Sequence, residues 1–179
     1  MSLLTTERLI LRPLREADLE TMFDYRNHPD CARYQRGQTK DRANLQKLIQ
    51  RRQFDRITVD EPFMAAVETR QTGEMVGEIV VMPNMGTITL GYTFSYRHHR
   101  KGYAFEALSA LTELLHQRYP EWDFVCFTDR ENVASMALLK KLGYRDMGYA
   151  PNRDSQVFGK WLNPETEAEI AAAVAKNPS

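Results

Sequence analysis

The stretch SYRHHRKGYAFEAL, residues 95–108, places three fixed cations and two histidines within five residues, directly before a helical pattern. It follows the strand-like run 87–94, so the local order is strand, loop and helix N-terminus. Gly102 and Ala104 are small enough to let a ligand approach the backbone closely. Free N–H groups and the helix dipole favour anions at such a place. The stretch therefore predicts a phosphate-binding loop, although a solvated basic turn would show the same charges.

The chain after this loop continues in regular elements. Apolar residues at helical spacing predict a helix over residues 103–119, which Pro120 ends. Residues 124–128 read as a short buried strand, and residues 132–142 as a helix with Gly143 as its left-handed C-cap.

The chain before and after this region completes a sheet. Strands are predicted at residues 9–12, 62–69, 75–82, 87–96, 124–128, 144–149 and 156–162, and helices at 16–27 and at 39–56 with Thr39 as N-cap. A surface or frayed helix runs from Pro164 to about residue 175. The order predicts an α+β fold: a mixed, mostly antiparallel seven-stranded sheet, flanked by about four helices and a C-terminal helix.

Length, charge balance and cysteine count limit the class of protein. A chain of 179 residues is expected to form one domain, residues 1–179, with 164–179 as a helical tail. The 24 basic and 24 acidic residues balance, which argues against a nucleic-acid partner. Cys126 is expected to be a buried, inert thiol, and Cys31 does not make a disulfide framework with it. Residues 79–96 carry no charge, but Pro83 and Gly86 divide them into two strands, and no signal pattern is visible; we expect a cytoplasmic protein without a membrane partner.

Three motifs carry a family resemblance. His99-x-x-Gly102-x-Ala104 resembles the pyrophosphate loop of the GNAT (GCN5-related) N-acetyltransferases, with histidine at its first position. Asn132-x-x-Ser135, followed by a helix ending at Gly143, resembles that family's downstream motif. The opening TERLILRP, residues 6–13, is typical of the branch that contains the ribosomal-protein serine/alanine N-terminal acetyltransferases. The resemblance spans roughly residues 5–162.

The resemblance implies the acyl-CoA N-acyltransferase fold, acetyl-CoA as co-substrate and no metal. In that family the sheet splays between the strands at 87–96 and 124–128, and the pantetheine arm lies in the gap. The family often forms dimers, so a homodimer stays open. The residues it assigns to the cofactor are Phe94, Ser95, His99, Arg100, Lys101, Gly102, Tyr103, Ala104, Asn132 and Ser135.

The reaction implied is direct attack of a primary amine on the thioester in a ternary complex. By resemblance, a backbone N–H near Phe94 or Ser95 donates to the developing oxyanion. Ser135 is the expected catalytic donor to the thiolate. Many relatives carry a tyrosine for this role where this chain has Leu139, and leucine cannot donate a proton. The alternative is that Asn132 is only an N-cap and Ser135 its capping partner.

The general base is less defined by the sequence. Several relatives carry a glutamate where this chain has Thr89, which cannot act as a base. Glu78 is the preferred catalytic base, with Glu68 and Asp129 as the other carboxylates near the expected cleft. Loss of the acceptor's proton to solvent is the alternative.

The expected function is acetyl transfer to the N-terminal amine of a protein, such as a ribosomal protein. A small-molecule amine (polyamine, amino acid or antibiotic) is the alternative acceptor, and Thr89 and Leu139 also motivate a non-catalytic acyl-CoA-binding module. The cleft discriminates between acceptors, since an open polar groove favours a peptide and a closed acidic pocket favours a polyamine.

Overall fold

The computed structural model describes residues 1–175, and eight strands in it form one sheet. The order across the sheet is β1-β2-β3-β4-β5-β6-β8-β7, and only β5 and β6 pair in parallel. The strands are β1 Leu4–Thr5, β2 Leu9–Arg12, β3 Phe63–Thr69, β4 Met75–Asn84, β5 Thr87–Phe94, β6 Asp123–Thr128, β7 Arg145–Ala150 and β8 Ser155–Lys160. The mixed, mostly antiparallel α+β fold is confirmed, with one strand more than predicted because the two-residue β1 pairs with β2.

Helices cover both faces of the sheet. They are α1 Leu19–Asn27, α2 Pro29–Ala32, α3 Arg42–Arg52, α4 Tyr103–Arg118, α5 Val133–Lys141 and α6 Pro164–Ala173, with 3₁₀ turns at Glu16–Asp18 and Tyr96–His98. Strand β3 is apolar on both sides: Phe63 and Val67 pack in the core under α4 and α5, and Met64 and Ala66 pack under α1 and α3. Burial on both faces explains why β3 lacks an alternating polar pattern.

The helix predicted at 16–27 has these bounds, with a 3₁₀ turn as its first three residues. Two other predictions were wrong for local reasons. The N-cap of α3 is Asp41, whose Oδ1 accepts from the Asn44 N–H at 3.0 Å, and Thr39 lies outside the helix. The residue before Pro29, His28, is extended as expected, but a new helix, α2, begins at the proline itself.

The C-terminal helix α6 lies on the surface, as expected, and it is docked rather than frayed. Ile170 and Val174 pack with the small cluster of Val125, Ala150 and Val157, and the Ala175 N–H donates to the Tyr149 carbonyl at 2.8 Å. Residues 176–179 of the expected tail lie outside the described residues. Within residues 1–175, no helix has the length and apolar character needed to cross a membrane.

Candidate functional site

The site lies where β5 and β6 separate. These strands pair only at Thr87–Asp123 and Ile88–Phe124, at the start of each strand, and then diverge toward their carboxyl ends. The divergence opens a cleft with a volume of about 1210 Å³. Its walls come from β5, the loop before α4, the first turn of α4, one side of α5 along its whole length, and α2 with the segment after it.

The hydrogen-bond alternation of β5 turns one backbone unit toward this cleft. The Ser95 N–H donates to the Val76 carbonyl at 2.8 Å, so Ser95 faces β4 and the preceding Phe94 faces away from it. In agreement, the Phe94 carbonyl accepts from His99 Nε2 at 2.8 Å and from the Cys31 thiol at 3.3 Å. Of the two amides expected to donate to an oxyanion, Phe94 is therefore directed at the gap, and Ser95 is engaged in the sheet.

The loop between β5 and α4 has two residues in the left-handed region, Arg100 at φ 63° and Gly102 at φ 78°. Gly102 is the N-cap of α4, so the free N–H groups of the first turn follow it immediately. Of the predicted loop residues, His99, Arg100, Gly102, Tyr103 and Ala104 line the cleft. Lys101 and Ser95 do not belong to that lining as far as the described residues show.

Arg8, from the N-terminal motif, braces this loop. Its Nη1 donates to the Lys101 carbonyl at 2.8 Å, its Nε donates to Glu106 at 3.1 Å, and its guanidinium lies 4.8 Å from the centre of the Tyr103 ring. This role was not predicted from the sequence. The spacing within a motif could not have shown it, since Arg8 and Lys101 are far apart in the chain and meet only through the fold.

The first turn of α5 supplies the opposite wall. The Asn132 Oδ1 accepts from the Ser135 N–H at 3.2 Å, so Asn132 is a genuine N-cap. The Ser135 hydroxyl takes no part in that cap and lies 2.7 Å from the Tyr92 hydroxyl. Asn132, Ser135 and Tyr92 all line the cleft, whereas Leu139 is buried in the core.

Tyr92 is the second residue that sequence reasoning missed. It lies on β5 two residues before Phe94 and packs partly against the core under α4 and α5. Burial raises the pKa of its hydroxyl, so the group stays protonated through the neutral range. The only signal in the sequence was its alternation with Phe94, which is equally typical of an ordinary core position.

The candidate bases are all ion-paired. Glu78 is 4% exposed and accepts from the Tyr25 hydroxyl and the Arg26 guanidinium, both on α1. Glu68 pairs with Arg12 at 2.5 Å, and Asp129 lies 3.4 Å from Arg36. None of the three is among the described residues that line the cleft, where the only carboxylate is Asp30.

Comparison with known proteins agrees with this geometry. The family model described as an acetyltransferase (GNAT) domain matches residues 8–145. An uncharacterized protein of Bacillus subtilis, YkkB, is 28% identical over 166 residues, covering 90% of this chain and 91% of its own.

Solved structures show the same fold at low identity. A GNAT-family acetyltransferase from Bacillus anthracis superposes with a TM-score of 0.75 at 20% identity, covering 89% of this chain and 96% of that one. RimL, a ribosomal L7/L12 alpha-N-protein acetyltransferase solved in complex with coenzyme A, gives a TM-score of 0.72 at 14% identity, covering 89% and 97%. With a family model that spans most of the sheet and a cleft at the splay between β5 and β6, the chain belongs to the GNAT acetyltransferase family and is an N-acetyltransferase.

Proposed function

We propose that this protein transfers the acetyl group of acetyl-CoA to the N-terminal amine of a protein, by direct attack in a ternary complex. The observation that carries the proposal is the cleft between the diverging strands, because the loop at the start of α4, the Phe94 backbone and Ser135 all line it. The likeness to RimL, which was solved with coenzyme A, supports both the co-substrate and the acceptor.

The residues present fit coenzyme A. Gly102 lines the cleft with its backbone at φ 78°, and a Cβ built there would come within 3.3 Å of the Arg8 guanidinium, so this position favours glycine. The N–H groups that open α4, together with Arg100, would hold the pyrophosphate, and His99, Tyr103 and Ala104 would complete the loop. Phe94, Asn132 and Ser135 would contact the pantetheine arm, whereas Lys101 and Ser95, also predicted to bind the cofactor, lie outside the described lining of the cleft.

The chemistry needs few protein groups. Acetyl-CoA, when bound, supplies an acetyl group already activated as a thioester. The Phe94 N–H would donate to the carbonyl oxygen as negative charge develops there, a contribution that elsewhere is worth about 10²–10³ in rate. Ser135 would donate to the sulfur. With Glu78 held by Arg26 and Tyr25, loss of the amine proton to solvent is the route we favour.

The acceptor side of the cleft favours a peptide over a polyamine. Arg33 and Lys40 line it and are exposed, whereas Asp30 is the single carboxylate among its described lining residues. Such a surface repels a polycation and attracts a chain that carries negative groups near its amine.

The test is a transfer assay read by mass spectrometry. We expect acetyl transfer from acetyl-CoA to a peptide with a free N-terminal serine or alanine, and none to the same peptide with a blocked N-terminus and an internal lysine. Spermidine should be a much poorer acceptor. Preferential acetylation of spermidine, or of the internal lysine, would overturn the proposed acceptor.

A further inference from the structure

Tyr92 and Ser135 form a hydroxyl pair across the cleft. Tyr92 projects from β5 and Ser135 from the first turn of α5, and their oxygens are 2.7 Å apart. Both residues line the cleft near Phe94. The pair therefore connects β5 to α5 across the cleft, two residues before Phe94 on β5.

The two hydroxyls have one O–H donor more than the hydrogen bond between them requires. Each hydroxyl carries one O–H donor, and the bond between them uses one of the two. The other O–H remains available to a third group. Since the Asn132 side chain already holds the Ser135 N–H, the position of Ser135 is fixed from two directions.

The Tyr92 side chain is suited to the donor role in the pair. Burial raises the pKa of its hydroxyl, so Tyr92 remains a neutral donor at any ordinary assay pH. If Tyr92 donates to Ser135 Oγ, the Ser135 O–H is free to point into the cleft. The N-terminal turn of α5 adds partial positive charge at the same place, which favours a negatively charged acceptor of that hydrogen bond.

We infer that Tyr92 is a positioning residue: its hydroxyl donates to Ser135 and so aims the Ser135 O–H at the coenzyme A sulfur, where it stabilises the thiolate. This inference rests on the proposed function. Ser135 and Tyr92 keep their own protons throughout. The carbon–sulfur bond breaks with both electrons going to sulfur, the carbon–nitrogen bond forms, and the proton lost by nitrogen and the proton gained by sulfur exchange with solvent.

The most direct test is the pKa of the coenzyme A thiol when bound, followed by the ultraviolet absorbance of the thiolate against pH. Because a hydrogen bond to a charged group is stronger than one to a neutral group, we expect the pKa of the bound thiol to be about one unit or more lower in the wild type than in Ser135→Ala. Tyr92→Phe, which removes only the hydroxyl, should lose most of the same shift.

The matched control is Tyr149→Phe. Tyr149 also lies on a strand and donates to a single side chain, Asp154, at 2.6 Å, but it is outside the cleft lining described here. This variant should give the wild-type thiol pKa. If Tyr92→Phe binds coenzyme A and its bound thiol has the wild-type pKa, the inference is overturned and the proposed function stands. If the wild type fails to bind coenzyme A, both are overturned.

Turnover provides a second readout. At saturating acetyl-CoA we expect Tyr92→Phe to lower kcat about tenfold, with KM for acetyl-CoA within about twofold of wild type. Because Tyr92 acts through Ser135, the double variant Tyr92→Phe/Ser135→Ala should be no slower than Ser135→Ala alone. Losses that multiply in the double variant would show that Tyr92 acts independently of Ser135, contrary to the inference.

Discussion

The two cysteines differ in what surrounds them, and this sets their reactivity. Cys126 is 1% exposed on β6, and burial raises the pKa of its thiol to about 11. At pH 8 a thiol with that pKa is about one part in a thousand thiolate, which is the reactive form. Cys31 is 8% exposed, its pKa is also raised by burial, and it lines the cleft beside Phe94.

We therefore expect a thiol reagent at pH 8 to modify Cys31 slowly and Cys126 only after unfolding, and saturating coenzyme A to protect Cys31. Raising the pH should increase the rate at Cys31, because burial raises the pKa of its thiol and the thiolate form therefore appears at higher pH. The rates can be followed by mass spectrometry, with Cys31→Ser as the control in which Cys126 is the single remaining cysteine. Modification of Cys126 in the folded protein at the unfolded rate, or no protection by coenzyme A, would contradict this account.

At the level of single residues, sequence reasoning found the groups that a motif names and missed those that only the fold brings together. Gly102, Ala104, Asn132 and Ser135 lie around one cleft as the spacing suggested. Tyr92 reaches Ser135 from another element, so its place in the site depends on how α5 packs on the sheet. The register of β5 against β4 decides that the Ser95 amide bonds within the sheet and that the Phe94 amide faces the gap. This register is likewise set by strand pairing and not by composition.

Glu78 shows how a residue that joins a helix to the sheet can be mistaken for a catalytic residue in a sequence. It lies on β4 and pairs with Arg26 of α1, each 4% exposed, so the pair ties a helix to the sheet. Removing one partner of a buried ion pair leaves an uncompensated charge and costs about 3–5 kcal/mol.

We expect Glu78→Gln to lower the free energy of unfolding by about this amount, measured by urea denaturation, while kcat per folded molecule stays near wild type. The control is Glu20→Gln, which breaks the exposed pair with Arg42 and should change stability little. Normal stability together with abolished turnover in Glu78→Gln would instead identify Glu78 as the general base.

Elements whose signal is local were predicted well, and those that depend on a neighbour were not. Helix α4 was expected to begin at Tyr103, and it does, because the loop before it ends in a left-handed Gly102. Strand β1 has two residues and exists only as a partner of β2, and α2 is a four-residue turn started by Pro29. Neither is long enough to show a hydrophobic period.

For the molecule as a whole, balanced charge conceals an uneven distribution. The chain is neutral overall, yet Arg33, Lys40, Arg100 and Lys141 all line the cleft, with Asp30 as the one carboxylate among the lining residues that the structure describes. A cleft of this character suits a ligand that carries phosphates at one end and an anionic acceptor chain at the other. The sequence indicated the first part through the cluster at residues 97–101, and the second part emerged only once α2 was placed beside β5.

The central claim is that the cleft at the splay of β5 and β6 holds coenzyme A through the loop at Gly102. Isothermal titration of acetyl-CoA, and separately of coenzyme A, into the wild type, Gly102→Trp and Gly86→Trp tests it most directly. Both glycines are left-handed, at φ 78° and 85°, so both variants carry the same kind of backbone strain, but Gly86 lies at the far end of β5 with no neighbour within 4 Å of a built Cβ. We predict micromolar binding by the wild type and by Gly86→Trp, and none by Gly102→Trp. Unchanged binding by Gly102→Trp, or no binding of either ligand by the wild type, would contradict the claim.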